Sequence, residues 1–155
     1  MVNKNTVWWL SGIMLLGAIF RLSIYNLEPL FMDSAYYASL GRAIAEGDYL
    51  LQVNHLSDKP PLFFYIQALC FELLGVSESV AVLPSFIGGM ISIGIIYLLG
   101  RDLKNSAAGL LAAFLFAISP MSVWLSVWGL ADSLFMTVTL LSFWTLIHRR
   151  FYWTG

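Results

Sequence analysis

Cysteine is almost missing from this 155-residue chain: Cys70 stands alone, so no intrachain disulfide can form and the redox compartment stays open. Histidine is nearly as scarce. Of the two present, His55 has Asp58 nearby, but one imidazole and one carboxylate do not make a metal site. Charge is the third shortage. Only 11% of residues are charged, where a soluble domain of this size would carry about a quarter. The formal net charge of −1 says little by itself, whereas its distribution is informative, and no nucleic-acid partner is expected. Together these shortages exclude a disulfide-stapled module, a zinc domain and an ordinary water-soluble fold.

What the chain has instead is apolar length: 59% of residues are hydrophobic and 15% aromatic. Val7 to Leu27, Val80 to Gly100, Ser106 to about Leu125 and about Leu130 to Ile147 can each cross a hydrocarbon core of roughly 30 Å. In lipid every backbone polar group must be satisfied within its own segment, so the runs are helices. The predicted class is all-α: a multi-pass membrane protein of about four transmembrane helices, with an extracytoplasmic loop of juxtamembrane helices over 28–79. The first run follows Lys4 as a signal peptide would. It is longer than a signal core and lacks a small-residue cleavage site, so an uncleaved helix is expected.

Charge distribution gives orientation. Lys4, Arg101, Lys104, Arg149 and Arg150 fall at alternate span ends, all on one side. Glu28, Asp33, Glu46, Asp48, Asp58, Glu72 and Glu78 crowd the first loop against only Arg42 and Lys59. The positive-inside rule then puts both termini in the cytoplasm and the long loop outside.

That loop has structure of its own. Asp33-Ser34 is expected to cap a helix running to about Glu46, with Gly47 just beyond. Tyr36, Leu40, Ala43 and Ile44 share one face, the pattern of a helix lying on a membrane surface. Tyr49 to Ser57 has no clear period. A second helix starts at Pro60-Pro61, where the fixed φ suits a first turn, and stops at Gly75. At about 1.5 Å per residue it is too short to span comfortably and is expected to tuck against the bundle. Glu78 to Leu83 is read as a lead into the second span. Pro120 is expected to kink or end the third.

Four residues could carry chemistry. Asp33 is adequately explained as a helix cap, yet an ionised carboxylate there could also take a proton from an attacking hydroxyl. Lys59, beside two rigid prolines at headgroup level, could be a solvated loop charge or a phosphate contact. Asp132, near the outer end of the fourth span, is either a cap or a group facing a cavity or partner. Arg21, inside the first span, either snorkels outward or pairs with Asp132, Glu28 or an anionic ligand. Trp124, Trp128, Tyr25 and Trp8-Trp9 fit interfacial belts.

Read in order, Asp33 after the first span, Tyr36-Tyr37, Gly47-Asp48, Lys59-Pro60-Pro61-Leu62, Tyr65, Leu74-Gly75, Ser85, a basic turn, Ser119-Pro120 and Ala131-Asp132 form a series. The series resembles the N-terminal region of GT-C superfamily integral-membrane glycosyltransferases, in particular the protein mannosyltransferase-like and aminoarabinose-transferase-like families. The resemblance covers essentially the whole chain. It implies transfer of a sugar from a polyprenyl-phosphate donor to an acceptor glycan, lipid or protein at the extracytoplasmic face, with inversion. It also implies Asp33 as general base or acceptor-positioning group, and Lys59 as the contact to the lipid phosphate. Asp132, Arg21, Arg42, Tyr36, Tyr37 and His55 complete the candidate substrate-binding set. Two departures stand out. Ser34 replaces the family's second carboxylate, which weakens the case for a divalent metal, and no other cofactor is implied. Ala81-Val82 precedes Leu83-Pro84 where the family usually has arginine. Relatives also have many more spans, so the chain is expected to be the first part of such an enzyme and inactive alone. The alternative is a non-catalytic membrane module that binds lipid or a partner membrane protein.

Overall fold

A computed structural model describes residues 4–25, 27, 29–30, 32–51 and 61–153. Among them there are seven helices and no strand: α1 (Lys4–Ile24), α2 (Asp33–Ala45), α3 (Leu62–Leu74), α4 (Glu78–Leu103), α5 (Ser106–Ile118), α6 (Pro120–Val127) and α7 (Ala131–Trp153). The helices α1, α4 and α7 are long and apolar enough to cross a membrane, and α5 with α6 passes the same test as one span bent by 59°. The all-α, multi-pass class is as expected.

The bundle is organised on α4, whose small residues let its neighbours come close. A Cβ on Gly100 would lie 2.8 Å from the Cα of Gly109 in α5, and one on Gly109 would strike the Tyr97 carbonyl. A Cβ on Gly88 would lie 3.3 Å from the backbone of Leu134 in α7. Hydroxyls then tie the helices together where water is absent. Ser85 donates to the Leu130 carbonyl at 2.7 Å, Ser133 to the Ser85 carbonyl at 2.9 Å and Thr137 to the Gly88 carbonyl at 2.8 Å. Nearer the far end, Ile13, Ile93, Tyr97, Ala113 and Ala117 join α1, α4 and α5 in one apolar cluster. There the Trp144 indole donates to Asp102 at 2.9 Å and fastens α7 to the end of α4.

The sequence pattern needed three corrections. Glu78 to Leu83 does not lead into the span but belongs to it. Ser77 caps α4 by accepting from the Val80 amide, which starts the helix upstream of the apolar run. The cap of α2 is Met32 rather than Asp33: Met32 has φ of 43°, and no side-chain cap bond is made. Finally, the buried face of α2 is Ser34, Tyr37, Leu40, Gly41 and Ile44, with Tyr36 exposed. That face does not lie on a membrane. It packs on α3, where Tyr37, Leu40, Ile44, Phe63, Phe64 and Ala68 form a second cluster.

The second loop helix follows expectation, whereas the stretch from Tyr49 to Ser57 falls largely outside the described residues. The α3 helix begins after Pro61 and ends at Gly75, whose φ of 87° breaks it. It is held to α4 by the Gln67 amide, which donates to the Ala81 carbonyl at 2.8 Å. Pro120 does break its span, and the break is braced from α1, as described next.

Candidate functional site

Arg21 is the largest fully buried side chain among the described residues. It does not snorkel, and it meets no carboxylate among them. Its Nε donates to Ser126 Oγ at 3.2 Å and its Nη2 to Ser122 Oγ at 3.1 Å, both in α6. Its Nη1 donates to the carbonyls of Gly17 at 3.1 Å and Ala117 at 3.2 Å. The reason lies in the break. Pro120 has no N–H, so the Phe116 carbonyl at the end of α5 loses its helical partner and accepts from Ser122 Oγ at 2.5 Å. Ala117, one residue on, is taken by the guanidinium. The negative end of the α5 dipole and four oriented acceptors let a cation sit where an unpaired charge would be costly.

Above this brace lies a cavity of about 220 Å³ whose lining includes Leu30, Ser34, Glu78, Val82, Trp124 and Trp128. The two indoles lie 4.5 Å apart between ring centres and are tilted by 34°. Glu78 sits in the first turn of α4, where the helix dipole favours its charge. Tyr25 steadies the α1 edge by donating to the Ser79 carbonyl, and burial pushes its phenol pKa up.

A second, more apolar cavity of about 390 Å³ opens between α2, α3 and α7. Tyr37, Leu62, Phe63, Asp132, Leu134 and Phe135 line it. Two of the sequence candidates, Tyr37 and Asp132, therefore meet here. Between the two cavities runs the turn at Gly129, with φ of 66°. A Cβ there would approach Ser34 to 3.7 Å and Val82 to 3.5 Å, so α7 begins beside the first turn of α2. Asp33 stands on that turn and is exposed, with Ser34 facing the first cavity and Tyr37, one helical turn on, lining the second.

The remaining candidates lie further out. Arg42 pairs with Glu46 at 2.6 Å on the exposed side of α2, and it also lines a shallow recess shared with Ser77 and Glu78. Tyr36 is exposed, 6.2 Å from the Tyr37 ring. Lys59 and His55 lie outside the described residues. Among the described residues, no group of three His, Cys, Asp or Glu is placed to hold a metal ion. Sequence reasoning missed Ser34, Glu78 and the Trp124–Trp128 pair as cavity-lining groups. The four-residue spacing of the two tryptophans was the available signal, since it stacks side chains on one helix face.

These features define a class: an all-helical, multi-pass membrane protein with two cavities at the end of the bundle that carries α2 and α3. The chain belongs to the dolichyl-phosphate-mannose-protein mannosyltransferase family, within the GT-C superfamily; the family's model matches residues 58–150, a stretch that includes Lys59 and Asp132 but not Asp33. It is 33% identical over 159 residues to dolichyl-phosphooligosaccharide-protein glycotransferase 2 of Archaeoglobus fulgidus, covering 90% of this chain and 26% of that protein. It is 38% identical over 127 residues to glycotransferase 1 of the same organism, covering 75% of this chain and 21% of the relative. The putative mannosyltransferase YkcB of Bacillus subtilis is 29% identical over 89 residues, 57% of this chain and 12% of the relative. The chain thus spans about a quarter or less of the curated relatives it matches. No solved structure matches.

Proposed function

We propose that the chain forms part of a glycosyltransferase that moves a sugar from a polyprenyl-phosphate donor to an acceptor hydroxyl or amine, with Asp33 as the base. The observation that carries this reading is the place of Asp33: an exposed carboxylate on the first turn of α2, with one cavity beside Ser34 and the other beside Tyr37. Asp33 lines neither cavity itself but adjoins Ser34 at the first and stands one helical turn from Tyr37 at the second, a position from which one carboxylate could serve two substrates. The family and the relatives' own names support a lipid-linked sugar as one of them.

The chemistry is a direct displacement. The acceptor oxygen or nitrogen bonds to the anomeric carbon while its proton passes to the Asp33 carboxylate. The bond from that carbon to the phosphate oxygen breaks, and its electron pair leaves with the polyprenyl phosphate. Attack from the opposite side inverts the configuration. Lys59 neutralises the departing phosphate as a point charge. Asp132 and Tyr37 shape the α7 side of the site, and Tyr36 stands exposed beside Tyr37. Both termini lie in the cytoplasm and the site on the extracytoplasmic face, in keeping with the distribution of lysine and arginine. The chain covers about a quarter or less of its relatives' length, so the transfer reaction is assigned to the whole protein.

Asp33→Asn in the full-length protein tests the base, because it removes the charge with almost no change of shape. Transfer from a polyprenyl-phosphate sugar should fall about 100-fold or more, as for loss of a general base. Retained transfer would refute the role. Lys59→Ala should weaken donor binding while leaving acceptor affinity alone.

A further inference from the structure

We infer that the cavity walled by Trp124, Trp128 and Glu78 is a saccharide-binding subsite that takes one pyranose ring. The inference rests on the glycosyl-transfer reading for its biological sense but on the cavity for its chemistry. Trp124 and Trp128 are i, i+4 neighbours at the exit of α6, with ring centres 4.5 Å apart. At that separation nothing fits between them, so the pair is a platform and not a cage. A platform suits the C–H face of a sugar ring, which stacks on an aromatic face through dispersion and its weakly positive hydrogens. Across the cavity, Glu78 presents a carboxylate with no ion-pair partner among the described residues. Two acceptor oxygens match a pair of sugar hydroxyls.

The same features argue against other ligands. Among the described residues no lysine or arginine lines the cavity, and Glu78 would repel a phosphate. A lipid tail gains nothing from a charged wall. The cavity, open on one side and about 220 Å³ in volume, suits a single ring better than a longer glycan. Below, the Arg21 bonds to Ser122 and Ser126 fix α6, so the platform is held before any ligand arrives.

The test is saturation-transfer NMR on the purified chain in nanodiscs, with methyl mannoside as probe and other methyl glycosides as a panel. Saturation should reach the C–H protons of one ring face, and binding should weaken about tenfold in Trp128→Ala. Glu78→Gln, a surface change that leaves the platform intact, should weaken it as well and carries the test if Trp128→Ala fails to fold. Addition of a short-chain prenyl-phosphate mannose identifies the source: displacement of the probe makes the subsite the donor's, and simultaneous binding makes it the acceptor's. Absence of saturation transfer from every glycoside, or equal binding by folded Trp128→Ala and Glu78→Gln, would overturn the inference. So would displacement of the probe by a sugar-free prenyl phosphate. Loss of transfer in Asp33→Asn with no glycoside binding would leave the catalytic reading standing and remove only this one.

Discussion

Arg21 is where residue-level reasoning gains most from the structure. Its position inside an apolar run marked it as costly and therefore purposeful, and that much was legible. Its partners were not, because Gly17, Ala117, Ser122 and Ser126 lie up to 105 positions away and are all neutral. Replacement by methionine leaves the Ala117 carbonyl without its guanidinium donor and removes the bonds accepted by Ser122 and Ser126, which should cost roughly 3 kcal/mol. A thermal melt of purified Arg21→Met should show the loss. If Arg21 instead contacts substrate, Arg21→Lys will weaken donor binding while the melting temperature holds. Asp33 reads the opposite way. It was easy to find in the sequence but was expected to earn its place partly as a cap, and Met32 has that position. An Asp33 substitution should therefore be nearly neutral for folding, which makes its effect on transfer easier to interpret.

At the scale of elements, the helices themselves were readable because apolar length in lipid permits little else. The joins were harder. Ser77 starts α4 with a local hydrogen bond that the apolar pattern does not contain, so the span appeared to begin later. The periodicity of α2 alone suggests a membrane surface because its partner, α3, is about twenty residues away. A Tyr37 ring packed 5.4 Å from Phe64 cannot be inferred from periodicity alone. Gly109 offers a test of element packing. Its Cβ would collide with the Tyr97 carbonyl, so Gly109→Ala should force α4 and α5 apart at a cost of about 1–3 kcal/mol. An unchanged unfolding transition in detergent would show that the two helices are less closely apposed.

For the whole molecule the open question is orientation, which charge counting addresses and helix packing does not. In a Cys70→Ser background, cysteine at position 55 should react with an impermeant maleimide from outside and cysteine at position 103 only from inside. The reverse pattern would overturn the assignment. The native Cys70 should itself react slowly, because burial raises its thiol pKa and leaves little thiolate at neutral pH. The bend between α5 and α6 has a further consequence. The thirteen residues of α5 rise only about 20 Å, against a hydrocarbon thickness of roughly 30 Å. The chain then turns sideways by 59° instead of continuing to the surface. With α5 standing along the bilayer normal, α6 and its two tryptophans would lie within the hydrocarbon depth, where a molecule on a membrane anchor would meet them by lateral diffusion.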